Sequence, residues 1–236
     1  MKLVKFALAG IVTLMSVLTV QAQSADEIVD KHIAAIGGKD NWKKVNSVVT
    51  EGNLTVQGAD VTVVSTVLNG KGARQDISVM GMTGYTIITP SAGWNYMPFQ
   101  GQTKAEPATE EMVKESADQL DAQGVLIDYK AKGHSVEYLG KEDVDGTECF
   151  KLKVTHKSGK TDTYFIDPAT YYMLRSITKQ KANGQEVEVT TNFSNFQKLP
   201  EGIVVPMSIT LPFGEMIVKK VEINKAVDEN IFKPAN

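Results

Sequence analysis

The sequence predicts an α+β protein in which about eleven short strands form one curved antiparallel sheet. From residue 48 onward, apolar and polar residues alternate in successive runs, and turn pairs such as Asn69-Gly70 and Asp145-Gly146 separate these runs. Helical periodicity is confined to the stretches 24–36 and 109–123. So many strands cannot form a flat sheet. We therefore expect a dry concave side that side chains, helices or a ligand must fill.

The first 22 residues have the pattern of a cleavable signal peptide. Lys2 and Lys5 precede an apolar run that ends in Val20-Gln21-Ala22, with small residues at the positions that a signal peptidase reads. An uncleaved membrane anchor is the weaker alternative, because about 20 apolar residues are needed to span a bilayer and this run is shorter. Nothing resembling a linker or a repeat divides the remainder. We expect residues 1–22 to be removed and residues 23–236 to form a single domain.

Composition excludes some classes of function. The formal net charge is −3, and loss of the two lysines in the signal peptide makes the mature chain more acidic. Such a surface argues against nucleic acid as a partner. Cys149 is the single cysteine, so no internal disulfide can form and the fold must depend on its core.

Two helices are predicted. Ser24 and Glu27 form a capping box for the first helix, which ends at Gly37-Gly38. The second is predicted over 109–123, where Met112, Val113 and Leu120 form a narrow apolar stripe. It directly follows an aromatic strand at 93–99, so we expect it to act as a lid over an apolar surface.

No motif for catalysis or for a cofactor is present in the sequence. The three histidines, His32, His134 and His156, lack metal-ligand spacing, and we interpret them as surface or turn residues. The neighbouring carboxylates Asp143/Asp145 and Glu110/Glu111 fall in a turn and at a helix start, where solvation or capping explains them. We therefore expect no catalytic residue, no cofactor and no metal.

Methionine and aromatic residues are the unusual part of the composition, with nine methionines in the chain. Methionine adapts to irregular partners, so this composition suits a cavity that accepts a flexible ligand. On composition alone, an ordinary core in which methionine fills gaps is the better explanation.

Three stretches resemble the outer-membrane lipoprotein-sorting family, the LolA-like periplasmic carriers. They are 93–99 (Gly-Trp-Asn-Tyr-Met-Pro-Phe) with a helix behind it, 164–170 (Tyr-Phe-Ile-Asp-Pro-Ala-Thr), and the ending 221–224 (Val-Glu-Ile-Asn) with 232–234 (Phe-Lys-Pro). The resemblance implies a half-open barrel of about eleven strands, plugged by helices on its concave apolar face. It also implies a periplasmic carrier, without catalysis, that binds acyl chains of a lipid or lipoprotein and moves them toward the outer membrane.

The resemblance also assigns residues and partners. Trp94, Tyr96 and Phe99 would border the groove, Met112, Val113 and Leu120 would belong to the lid, and Arg74 would hold the lid shut. Alternation independently places five further residues on dry strand faces that would line the groove: Ile77, Val79, Val205, Met207 and Ile209. Partners would be acyl chains, an inner-membrane donor and an outer-membrane acceptor protein, with the carrier itself a monomer.

Two other classes of function stay open at this stage. One is a periplasmic sensor or protein-interaction module built on the same fold, which the acidic surface neither supports nor excludes. The other is an enzyme of unrecognised type, for which the sequence gives no positive sign.

Overall fold

The computed structural model describes residues 24–182 and 185–235, and the predicted signal peptide lies outside them. These residues form one antiparallel sheet of thirteen strands in the order β6-β5-β4-β3-β2-β1-β13-β12-β11-β10-β9-β8-β7. In chain order the strands are β1 (Ser47–Val56), β2 (Ala59–Leu68), β3 (Gly72–Val79), β4 (Met82–Ile88), β5 (Gly93–Tyr96), β6 (Glu106–Pro107), β7 (Ser135–Val144), β8 (Thr147–Thr155), β9 (Thr161–Ile166), β10 (Met173–Ala182), β11 (Gln185–Lys198), β12 (Val204–Leu211) and β13 (Gly214–Ile223).

The sheet consists of two meanders joined through one pair of strands. β1 pairs with β2 on one side and with β13 on the other, so the first and last long strands are neighbours. β6 and β7 lie at the two ends of the strand order, which makes the sheet unclosed, as predicted. The strand number exceeds the predicted eleven partly because of β6, whose two residues are too few to give an alternation pattern.

Helix is a minor component of the described residues. The α-helices are α1 (Ala25–Ala35), α2 (Lys39–Trp42) and α3 (Glu110–Glu115), and short 3₁₀ helices lie at Pro98–Gln100, Ala117–Leu120 and Glu229–Phe232. Ser24 caps α1 as predicted, with its hydroxyl accepting from the Glu27 N–H at 3.1 Å. None of the described helices is long and apolar enough to cross a membrane.

The single helix predicted over 109–123 is wrong in its extent. Thr109 caps α3, but α3 ends after six residues at Glu115, with Ser116 as its C-cap, and a 3₁₀ helix follows. Serine and aspartate bind nearby backbone groups and favour the ends of helices, and both residue types occur at 116–118. We refer to residues 109–120, which contain α3 and the 3₁₀ helix, as the strap.

One face of the sheet carries most of the core, and we call it the inner face. α1 packs there, with Ile28, Val29 and Ile33 buried against Phe150 and Leu152 of β8. The opposite face, called the outer face, has smaller clusters. In one of them the C-terminal residue Phe232 packs beside Tyr85 and Ile87 of β4.

Candidate functional site

A cavity of about 510 Å³ lies between the inner face and the segments that cover it. This volume is within the range of about 300–1,000 Å³ that is usual for ligand pockets. Its sheet wall includes Val48, Val67, Val205, Phe193 and Ile223, which come from five different strands. Its lining is mostly apolar, and we take this cavity as the candidate functional site.

Strand register explains why these side chains meet. Val48 of β1 lies opposite Val67 of β2 and Ile223 of β13, so the three share one face. Val205 joins the same face from β12, where Pro206 and Ser208 alternate to the other side. Short β-branched side chains fill less of the inner side than aromatic ones would, and this leaves room for the cavity.

The cover is formed by α2 and by residues 121–127. Trp42 of α2 lines the cavity, and its indole N–H donates to the Ile36 carbonyl oxygen at 3.0 Å. The Ala122 N–H donates to Asn69 Oδ1 at 3.1 Å, which attaches this segment to the turn between β2 and β3. Leu126 and Ile127 complete the apolar cover, and both are buried.

The lining is close to electrically neutral. Asp121 lies in the lining, and its carboxylate forms an ion pair at 2.5 Å with Lys132, which also donates to the Gly124 carbonyl oxygen. His32 is buried, and burial lowers the pKa of its imidazole, although the Nδ1–H donates to the Tyr171 carbonyl oxygen at 2.7 Å. The cavity therefore presents apolar groups and hydroxyls with one compensated charge.

The five groove residues that were predicted from strand alternation all lie on the inner face. Val205 lines the cavity itself. Register places Ile77 and Val79 opposite Val63 and Val61 of β2, and it places Met207 and Ile209 on the same side as Val205. These four lie beyond the cavity, toward the hairpin tips.

The aromatic strand divides between the two faces. Trp94 and Tyr96 pair with Ile87 and Tyr85 and lie with them on the outer face, around Phe232. This corrects the expectation that the two rings border the groove. Alternation predicts that they share a face, but the choice of face depends on the distant C-terminal segment.

Phe99 does lie on the inner side. Gly84 opposes Ile77 on the inner face, and a Cβ at Gly84 would lie 2.9 Å from Cε1 of Phe99 and 2.6 Å from the Tyr96 carbonyl oxygen. Only glycine therefore allows this close approach, and Phe99 covers the end of β4 away from the cavity.

The predicted lid residues differ in their surroundings. Leu120 is buried on the inner face against Ala73 and Ile88. Met112 is 53% exposed, and α3 contains no buried residue. Val113 is half-buried.

Arg74 has contacts that do not match the lid-holding role implied by the resemblance. It lies on the outer face, where its guanidinium forms a bidentate pair with Asp76, with Nη2 2.7 Å from Oδ1. Its Nη1 donates to the Ile231 carbonyl oxygen at 2.8 Å, and the guanidinium lies 4.5 Å from the Tyr85 ring centre. These contacts fix the C-terminal segment and not the strap.

A second group of residues was not expected from the sequence. His156 is buried between two carboxylates, with Nε2 2.8 Å from Asp162 Oδ2 and Nδ1 2.7 Å from Asp118 Oδ2. His134 lies edge-on to it, with 5.3 Å between the ring centres. The interpretation of the histidines as surface or turn residues is therefore wrong on exposure for His156 and His32, which are both buried, although His156 does lie at the turn after β8. Asp118 and His156 are far apart in sequence, so no spacing signal could have joined them.

The similarity of this chain to known proteins is found in its structure and not in its sequence. No protein-family model and no curated protein matches the sequence. A LolA superfamily protein from Nitrosomonas europaea superposes with a TM-score of 0.54 at 11% identity, covering 89% of this chain and 97% of that one. A DUF1329 family protein from Desulfovibrio piger gives a TM-score of 0.53 at 14% identity, covering 89% of this chain and 98% of that one.

A third solved structure has the same architecture. A putative outer membrane lipoprotein-sorting protein domain from Vibrio parahaemolyticus has a TM-score of 0.51 and 15% identity, covering 87% of this chain and 94% of that one. At these identities the likeness is evidence of fold. The chain therefore has the LolA-like fold, shared with LolA superfamily and outer-membrane lipoprotein-sorting proteins.

Proposed function

We infer that this protein is a non-catalytic periplasmic carrier, which binds acyl chains of a lipid or lipoprotein in the inner-face cavity and moves them toward the outer membrane. The observation that carries the proposal is the cavity of about 510 Å³ with its apolar, nearly neutral lining. The LolA-like fold supports it, because one protein of this fold is described as a putative outer-membrane lipoprotein-sorting domain.

The lining suits an uncharged chain better than a polar substrate. Burial of an acyl chain contributes about 0.8 kcal/mol per CH₂ group, so affinity requires no charged clamp. Thr50, Ser65 and Ser176 add hydroxyl groups to the sheet wall, and these can bind an ester or a carboxyl group at the head of the chain. The ion-paired Asp121 leaves little net field to attract a charged substrate.

The apolar wall extends beyond the cavity. Ile77, Val79, Met207 and Ile209 continue the inner face toward the hairpin tips, and Phe99 lies over the end of β4. A chain longer than the cavity would run along this strip. Donor and acceptor proteins at the two membranes belong to the same proposal, as does export through the signal peptide.

A fluorescent fatty acid tests the proposal directly. In the Val205→Phe variant the larger ring projects into the cavity. We therefore expect the affinity of this variant for the fatty acid to be at least about tenfold lower than that of the wild type. Ile217→Phe is the matched control, because Ile217 pairs with Ser208 on the outer face and is 39% exposed. The control should bind as the wild type does.

Two results would overturn the proposal. One is a wild-type protein that binds neither the fatty acid nor any extracted lipid. The other is equal loss of affinity in both variants, since that would place the ligand outside the cavity.

A further inference from the structure

The strap crosses the inner side of the sheet between two distant groups of strands. At its C-terminal end Leu120 packs against Ala73 and Ile88, and its carbonyl oxygen accepts from the Gly70 N–H at 2.8 Å. On the other side, Asp118 reaches His156, which follows β8. Residues 121 and 122, which follow the strap, line the cavity. Movement of the strap would therefore alter the cover of the cavity.

His156 lies at the centre of this second attachment. Its side chain is 1% exposed, and the Asp162 side chain on the sheet is 4% exposed. Asp118, on the strap, is 23% exposed. Both ring nitrogens thus meet a carboxylate oxygen, one from the sheet and one from the strap.

This geometry requires the charged ring. The Nε2–H donates to Asp162, whereas Nδ1 lies 2.7 Å from Asp118 Oδ2 in an ion pair that lacks hydrogen-bond geometry. A carboxylate cannot donate a hydrogen bond, so two carboxylates this close attract the ring only when it carries the positive charge. Burial opposes the charge on His156, but the two neighbouring carboxylates of Asp118 and Asp162 outweigh it and raise the pKa of the imidazole to about 9. A neutral ring would leave a nitrogen lone pair facing one of the two carboxylates.

The remaining charged and titratable groups around the ring fit an ion-pair cluster. Lys160 Nζ lies 3.7 Å from Asp162 Oδ1, and burial and the charge on His156 lower the pKa of His134. Burial, with the nearby Asp162 and Asp118 carboxylates, raises the pKa of Tyr164. Two carboxylates are therefore balanced by one imidazolium and one ammonium, with a neutral histidine and a neutral tyrosine beside them.

A metal ion is the competing explanation, because ligand atoms of Asp118, His134 and His156 all lie within 4.8 Å of one another. The hydrogen bonding of His134 argues against it. Its Nδ1 accepts from the Lys157 N–H at 3.0 Å, so in the neutral ring the proton is on Nε2. A protonated Nε2 cannot ligate a metal, so only Asp118 and His156 of the three residues could serve as ligands.

We propose that the Asp118–His156 ion pair is a latch that holds the strap across the inner face, and that a ligand reaches the cavity after this pair breaks while His156 stays bound to Asp162. The claim that a ligand enters after the pair breaks rests on the proposed carrier function. The claim that the pair holds the strap in place does not depend on any ligand. Asp118 is the partner that leaves, because it is the more exposed of the two carboxylates and lies on the segment with fewer buried residues.

Hydrogen exchange of the full mature chain tests the latch without any ligand. In Asp118→Asn we expect the amides of residues 109–120 to exchange at least about tenfold faster at neutral pH, with exchange in the strands unchanged. Glu142→Gln is the matched control. It removes the charge of an ion pair to Lys151 at 2.6 Å on β7 and β8, and should leave the strap as in the wild type. Unchanged exchange of residues 109–120 in Asp118→Asn would overturn the latch.

Two further measurements separate the alternatives. Binding of one Zn²⁺ per chain in calorimetry, lost in His134→Ala, would assign the cluster to a metal and overturn the latch. With a fluorescent fatty acid, faster association in Asp118→Asn than in the wild type supports the claim that a ligand enters after the pair breaks. Fast exchange of the strap without any fatty acid binding in either protein would keep the latch and reject the carrier function.

Discussion

Arg74 Nη1 donates to the carbonyl oxygen of Ile231, 2.8 Å away, and so joins the third strand to the last helical turn across 157 positions of sequence. Asp76 holds the same guanidinium in a bidentate pair. The C-terminal segment is thereby fixed on the outer face, opposite to the cavity.

Arg74→Lys should loosen this segment. Lysine keeps the charge but cannot reproduce the bidentate pair with Asp76 and the bond to Ile231 together, so we expect a loss of about 1–2 kcal/mol in the free energy of unfolding. Hydrogen exchange should rise at residues 226–235 and stay unchanged at 109–120. A rise confined to 109–120 would instead support the lid-holding role implied by the resemblance.

Phe232→Ala should be strongly destabilising. Its ring is 5% exposed beside Tyr85 and Ile87, and removal of such a side chain costs about 3–5 kcal/mol. Urea unfolding measures the loss. Phe213→Ala is the control, since Phe213 is 59% exposed and its truncation should cost under about 0.5 kcal/mol. Similar losses in the two variants would show that the outer-face cluster does not support the sheet.

The sheet could be predicted from sequence because its signals are local. The alternation that begins at residue 48 gives the start of β1 to within one residue, and alternation puts Ile77, Val205 and Met207 together on the inner face. The faces of Trp94 and Tyr96 could not be predicted in this way. Period two shows that two side chains share a face, whereas the covered face depends on Phe232, which is more than 130 residues away.

Neither the cavity nor the latch could be predicted from the sequence, and the reason is the same for both. Both the cover of the cavity, from Trp42 and residues 121–127, and the Asp118–His156 pair join segments that are distant in sequence. Histidine in a strand-end position gives no sign of burial, and Asp162 reads as an ordinary polar residue of an alternating strand. Tertiary contacts decide both, so residue patterns alone did not reveal them.

Stability should depend on the charge of His156. Its raised pKa means that its contribution to folding is complete below the ordinary value of 6.5 and is lost as the pH rises through about 9. The urea concentration at the unfolding midpoint of the wild type should therefore decrease as the pH is raised from 6.5 to about 9. His156→Gln removes the titrating group and should be less stable at neutral pH, with a flatter profile. An equally steep fall in both proteins would contradict the buried ion-pair assignment.

Cys149 should be unreactive in the native protein. Burial raises the pKa of the thiol to about 11, and the side chain is fully buried beside Val144 and Phe165. A thiol reagent should label it only after unfolding in denaturant. Rapid labelling of the native chain would show that the outer-face cluster around β7, β8 and β9 opens readily.

The proposed carrier function is tested most directly by native mass spectrometry of the protein, expressed with residues 1–22 included and purified without detergent. We predict one lipid adduct per wild-type chain, released on denaturation and depleted in Val205→Phe but retained in Ile217→Phe. A wild-type chain that carries no adduct, and that acquires none when incubated with fatty acid or phospholipid, would contradict the account.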